Sequence, residues 1–352
     1  MNRILASTII REAGIDDGSG LLRLFDADTG KQLHAETIPD PLWRARDGNP
    51  RGGMRGARGL CMFRDGACLA NADSIFHFGP DWKMRWHITN PLMGSIHSLA
   101  ADARGIFAAC VHTDTVVKFQ PGSKRPIWWW DWRRDWNVLT ALGLEAPIPS
   151  VPVTDHDFRD PMVSYAAAWI NGVKLVRRGG QERLHICMGR VPSADVLRRA
   201  VAGEAITWED AGPMRSFIFS VVPGSPKETR LVLKSELDGS APAHMADPDA
   251  LLDPNSGRYV PAMGVGWNMG APLAEGDFLR GFCALPGNAF AYGRMNPTAI
   301  HHSSGKIPVS HNPKESIFDL CACPDHFEER PEGPIFRHQV AELQALRREA
   351  VA

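Results

Sequence analysis

The sequence predicts an all-β fold, a six-bladed β-propeller closed by a blade shared between the two ends of the chain. Three observations carry that expectation. A frame of apolar alternation recurs five times and, more loosely, a sixth. Gly- or Pro-containing turns cut the strand-like runs into groups of four, the content of a propeller blade. The first strands of the chain lack an innermost partner, which the last strand-like stretch supplies.

Ile4 to Ile10, Leu21 to Phe25 and Gln32 to Thr37 read as the second, third and fourth strands of the shared blade. The next unit opens at Arg58-Gly59-Leu60-Cys61, turns at Arg64-Asp65-Gly66 and continues through Ser74 to Phe78. Another opens at His97-Ser98-Leu99-Ala100, turns at Ala103-Arg104-Gly105 and runs through Thr115 to Phe119 and Arg125 to Trp130. Further frames open at Asn171-Gly172-Val173-Lys174, Arg215-Ser216-Phe217-Ile218 and Arg280-Gly281-Phe282-Cys283, with Phe318-Asp319-Leu320-Cys321 as the loose sixth. Three of the spacings, 39, 44 and 38 residues, match one blade of roughly 40 residues. The other two, 74 and 65 residues, place insertions at 132–161, with a short helix near Trp136 to Leu144, and at 236–250. A seventh blade inside the longest gap is the alternative. Ser316 to Cys321 then serves as the innermost strand that closes the ring and removes its free edge. The propeller domain spans 1–333, and 334–352 adds a helical extension from the spacing of Phe336, Val340, Leu343 and Leu346.

With 352 residues, 44% of them hydrophobic and 22% charged, the chain is ordinary for a globular protein, which excludes disorder. Its 39 basic and 40 acidic residues leave no excess for wrapping nucleic acid. Every apolar run is interrupted well short of the roughly 18 residues that cross a bilayer, and Met1 to Ile10 is expected to be a strand, lacking the pattern of a signal peptide. Cysteines number seven, and most sit in apolar strand-like segments, so reduced thiols and a cytoplasmic location are expected. Dinucleotide-binding, P-loop, serine-elbow and His-Glu-x-x-His motifs are all absent from the sequence, which disfavours nucleotide-driven chemistry and standard serine hydrolysis.

The opening Ser7-Thr8-Ile9-Ile10-Arg11-Glu12 with Gly18-Ser19-Gly20-Leu21-Leu22, the start Ile96-His97-Ser98-Leu99 and the closing Glu315-Ser316-Ile317-Phe318-Asp319-Leu320 resemble six-bladed propellers of the broad NHL and SMP-30-like grouping. That resemblance covers most of the chain as a repeat pattern. It implies several activities: lactone hydrolysis with an axial calcium ion, strictosidine-synthase-like chemistry, or pure protein interaction. The Glu, Asn and Asp set of the lactonase type is matched only in fragments.

Innermost strands of a propeller line its axis, so Arg58, His97, Asn171, Arg215 and Arg280 are expected to converge there. Three guanidiniums and an imidazole in one small space repel unless an anion or buried carboxylates compensate. A small anionic, carboxylate-bearing partner therefore fits, with Arg190 and Arg294 at second-strand ends as further binding groups. The competing expectation is that the arginines bond loop carbonyls, or pair with Asp73, Asp114 or Asp319, and staple blades. His97 or His112 is the candidate proton carrier, held in one tautomer by Asp114 or Asp157. His97, His112 and His156 together are a candidate ligand set for a divalent metal, the one cofactor the sequence suggests. The expected function is acid/base hydrolysis, elimination or rearrangement of a small anion. A non-catalytic interaction propeller and a metal-dependent lactonase-type hydrolase stand as alternatives. The sequence sets no oligomeric state.

Overall fold

The computed structural model describes residues 2–336 except 15, 50–53, 124, 147, 205–211, 238, 240, 263–266, 269–278, 287–288, 296 and 303–304. The proposed C-terminal helix thus lies outside the described residues beyond Phe336, which is itself buried.

Six four-stranded antiparallel sheets form the ring. Blade 1 is β4 (Leu60–Phe63), β5 (Gly66–Ala70), β6 (Ser74–Phe78) and β7 (Met84–Thr89), ordered outward from the axis. Blade 2 is β8 (Ile96–Ala101), β9 (Ile106–Cys110), β10 (Thr115–Phe119) and β11 (Pro126–Asp131). Blade 3 is β12 (Ile170–Arg178), β13 (Gln181–Val191), β14 (Arg215–Val222) and β15 (Ser225–Glu236). Blade 4 is small: β16 (His244–Met245), β17 (Ala250–Asp253), β18 (Arg258–Pro261) and β19 (Trp267–Asn268). Blade 5 is β20 (Leu279–Leu285), β21 (Ala289–Arg294), β22 (Ala299–His302) and β23 (Gly305–Pro308). The closing blade takes β24 (Glu315–Cys323) from the end of the chain, followed by β1 (Arg3–Ile10), β2 (Leu21–Asp26) and β3 (Gln32–Thr37) from its start.

Inner strands meet around the axis with little space between them, which explains the glycine that follows Arg58 and Asn171. A Cβ on Gly59 would fall 2.8 Å from the Leu99 nitrogen, and one on Gly172 would fall 2.9 Å from the Met245 Cβ. Polar side chains tie neighbouring inner strands: the Leu60 N–H donates to Asp319 at 2.9 Å and the Val173 N–H to Ser98 Oγ at 3.2 Å. Apolar layers fill the wedges between blades. Phe107, Val116, Ile186, Phe217 and Phe219 share one such cluster with Trp132 and Leu139 of the segment that follows blade 2.

That segment carries α1 (Trp136–Leu142), capped by Asp135, which accepts from the Asn137 and Val138 N–H groups, and ended by Gly143 at φ 81°. The expected short helix is therefore present. A second helix, α2 (Ala194–Val201), joins β13 to β14 and was not expected. It displaces the frame that opens at Arg215: β14 is the third strand of blade 3, not an innermost strand. The innermost strand of blade 4 lies instead inside 236–250, the stretch expected to be an insertion.

Candidate active site at the channel mouth

Four inner strands carry a one-residue irregularity in their pairing. The register skips His97 in blade 2, Asn171 in blade 3, Gly281 in blade 5 and Phe318 in the closing blade. A bulge re-aims the side chains beside it, and here it turns them toward the axis. Gly281, at φ 72°, takes a conformation that a side chain would strain, and this lets Arg280 enter the mouth.

Phe318 is the hub. The Arg280 Cζ lies 3.4 Å from its ring centroid and the Arg58 Cζ 5.2 Å away. The His97 ring meets it edge-on at 5.3 Å and meets Trp169 at 6.4 Å. Arg190 stacks its guanidinium 4.4 Å from the Trp169 ring. The Arg280 Nη2 is 3.5 Å from His97 Nδ1, and among the described residues Arg280 makes no carboxylate ion pair. Arg58, by contrast, donates to the Arg55 and Ile96 carbonyls and to Ser95 Oγ. On the far side of the mouth Asn171 Nδ2 donates to the Ala243 carbonyl at 2.8 Å and lies 3.3 Å from His244 Nδ1. Its Oδ1 is buried with no hydrogen-bond partner among the described residues, as is the Trp169 Nε1.

The electrostatics follow from crowding cations around an aromatic ring. Burial, then the charges of Arg58 and Arg11, push Arg280 well below the ordinary arginine value, with Asp319 offsetting only part. Arg58 falls to about 10, from burial set against the charges of Asp47 and Asp73. His97 is driven well below the usual histidine value by burial and by Arg58 and Arg280, and His244 by burial and Arg280. Arg190 drops to about 10 through burial. A guanidinium does not surrender its proton at neutral pH, so the strain stays as positive potential, while the imidazoles relieve theirs by staying neutral.

Of the expected residues, the structure brings Arg58, His97, Asn171 and Arg280 together, with Arg190 beside them through Trp169. Arg215 is elsewhere: its Nη2 donates to the Pro192 carbonyl at 2.7 Å and its guanidinium covers Phe217. Arg294 ends β21, directly opposite Leu279. His112 is anchored through Nδ1 to the Phe158 carbonyl at 2.9 Å, and its value is lowered by burial. Asp114 does not orient an imidazole. It accepts the N–H groups of Ala167, Ala168 and Ile170 and the Trp132 indole, and so holds the turn that delivers Trp169 and Asn171. His156 sits in an exposed loop against Tyr165 and Phe158. Among the described residues no three His, Cys, Asp or Glu side chains are placed to hold a metal, so the His97, His112 and His156 set is corrected.

His244, Phe318 and Trp169 were not among the expected site residues. The two-residue β16 offers no alternation to mark His244 as an inner-strand start. No family model matches the chain. No curated protein matches it either. Among solved structures, a protein of unknown function from Bacteroides caccae is 9% identical over 92% of this chain and 99% of that one, with a TM-score of 0.47. Apo AztD from Citrobacter koseri is 10% identical over 92% and 97%, with a TM-score of 0.42. Glutaminyl cyclase from Myxococcus xanthus is 16% identical over 47% and 58%, with a TM-score of 0.28. The six-bladed architecture rests on the strand pairing itself. The NHL and SMP-30-like resemblance stays a likeness of repeat pattern.

Proposed function

We propose that the chain is a propeller enzyme whose channel mouth takes a small carboxylate-bearing anion and moves a proton on it. One observation carries this reading: Arg280 points into the mouth between Phe318 and His97 without a carboxylate partner among the described residues, beside Arg58. A staple has its charge matched inside the protein, whereas this cation, offset only in part by Asp319, is fully matched when an anion enters. At 3.5 Å the Arg280–His97 contact is long, so an anion bound to Arg280 replaces it and frees Nδ1 of a neutral imidazole. Arg280 and Arg58 then stabilise negative charge developing next to the carboxylate, while His97 accepts or returns the proton. This fits elimination or rearrangement alpha to a carboxylate, and hydrolysis with His97 activating water. All seven cysteines are free thiols, six of them buried, which suits action in a reducing cytoplasm.

The test is calorimetric titration with inorganic phosphate, sulfate and a set of small mono- and dicarboxylates, on the wild type and on Arg280→Gln. Carboxylate binding that is lost by tenfold or more in the variant is expected, since about 1.4 kcal/mol per decade is within reach of one charge-assisted hydrogen bond. Equal binding in both proteins would remove Arg280 from the site and the reading with it.

A further inference from the structure

A polar cleft outside the mouth lies between blades 3 and 4, and its cause is a mismatch of length. The strands of blade 3 reach 9, 11 and 12 residues in β12, β13 and β15. Those of blade 4 have two, four, four and two. At roughly 3.3 Å per residue the short blade cannot cover the long one, and a cavity of about 730 Å³ remains. Cys187, Ile218 and Leu233 of blade 3 do pack against Met245 and Leu251 of blade 4, but they close only part of this wedge. Here the facing row across blade 3 is polar: Lys174 lies opposite His185, His185 opposite Ser220, and Ser220 opposite Arg230. Cross-strand partners share a face, and Arg183 joins them two residues from His185, donating to Ser220 Oγ at 2.7 Å.

We propose that this cleft is a second ligand site, for a small organic carboxylate that also carries a hydrogen-bond donor. His185 is only 5% exposed, and its Nδ1 lies 2.7 Å from the Pro248 carbonyl and 3.0 Å from Asp249 Oδ1. Both neighbours are acceptors, so Nδ1 carries the ring proton and Nε2 keeps its lone pair. No described residue bonds Nε2, and the ring lines the cavity. Burial lowers the His185 value, the Pro248 carbonyl and the Asp249 carboxylate oppose the fall, and Arg178 and Arg183 add to it, so the net direction favours the neutral ring. Arg230 is exposed at the cavity edge and makes no ion pair among the described residues. A carboxylate meets Arg230, with Arg183 beside it although Arg183 also reaches Glu228 Oε2 at 3.7 Å, a hydroxyl or amide N–H donates to His185 Nε2, and Val176, Leu231, Val232 and Tyr259 receive the apolar body. Tyr259 is itself fixed, donating its hydroxyl to Asp247 at 2.8 Å.

The probe is mandelate, which joins a carboxylate, a hydroxyl and a phenyl ring, with phenylacetate as the same body lacking the hydroxyl. Titrated at neutral pH, mandelate binds the cleft of Arg280→Gln, whose channel mouth has lost its carboxylate affinity, as tightly as it binds the cleft of the wild type. Phenylacetate binds about tenfold more weakly, the cost of leaving one polar group unpaired. His185→Gln brings mandelate down to the phenylacetate level, and mandelate shifts the His185 Nε2 resonance in the ring nitrogen spectrum of the wild type. Arg230→Gln, an exposed change that leaves the core untouched, weakens both acids about tenfold. Failure of mandelate to bind the wild type overturns the proposal. So does binding that survives in both cleft variants, or that disappears in Arg280→Gln while persisting in them, which would assign the probe to the channel mouth.

Discussion

Arg280 decides between a site and a staple, and stability separates the two as cleanly as binding does. If Arg280 held blades together, Arg280→Gln would destabilise the protein. Because it is instead a cation crowded by Arg58 and Arg11, its removal relieves repulsion and also frees His97 and His244 from the charge that lowers them. Denaturant unfolding without added anion should show the variant unchanged or more stable by about 1 kcal/mol, the usual direction when a binding site is dismantled. A loss of about 2 kcal/mol or more would make it a staple. The imidazoles add a pH signature. His97 and His244 have folded values well below their unfolded ones, near 6.5, so between the two the unfolded chain binds more protons. Stability is therefore full above about pH 6.5 and falls as the pH drops below it. A bound anion reverses part of this by raising His97, so titration of a carboxylate below neutral pH should show proton uptake when buffers of different ionisation enthalpy are compared.

At the scale of single elements the site depends on how inner strands begin. Asp114 sits at φ 56° and spends its carboxylate on the Ala167, Ala168 and Ile170 N–H groups and on Trp132. Asn adopts the same backbone conformation, so Asp114→Asn removes the charge and half of the acceptors without straining the turn. The expected cost is about 3 kcal/mol, the scale for breaking a buried charge network that includes Arg133, 3.7 Å away. Weaker anion binding should accompany it as Trp169 and Asn171 lose their support, read by chemical denaturation and by titration of the folded variant. The frame that located Arg58, His97, Asn171 and Arg280 was legible because a close approach of strands demands a small residue after each of them, as at Gly59 and Gly172. The same pattern misled at Arg215, where β14 alternates as an inner strand does although it is third in its blade. Order within a blade is set by what precedes a strand, and here α2 intervenes with no signature in the frame itself. His244 was illegible for the opposite reason: two residues are too few to show any period.

Across the whole molecule, the closing blade joins residues separated by almost the full chain, so its contacts carry the largest loop-closure entropy in the ring. Its pairing runs from Arg3 opposite Cys323 to Ile10 opposite Glu315. At the site end of that seam Glu315 is 2% exposed and accepts two bonds from Arg23, Nε and Nη2 each at 2.8 Å, and a third from Thr8 at 2.7 Å. A bidentate carboxylate–guanidinium pair with a hydroxyl completing it has little desolvation left uncompensated, but removing one charge strands the other. Glu315→Gln should therefore cost about 3 kcal/mol and should do so mainly by speeding unfolding, because the seam is a long-range contact formed late. The double variant Arg23→Leu with Glu315→Leu removes both charges and should recover most of the loss. Stopped-flow unfolding of the three proteins checks both statements. A Glu315→Gln protein that unfolds at the wild-type rate would mean that the apolar pairing of Ile4, Ala6, Ile317 and Leu320 closes the ring without this latch.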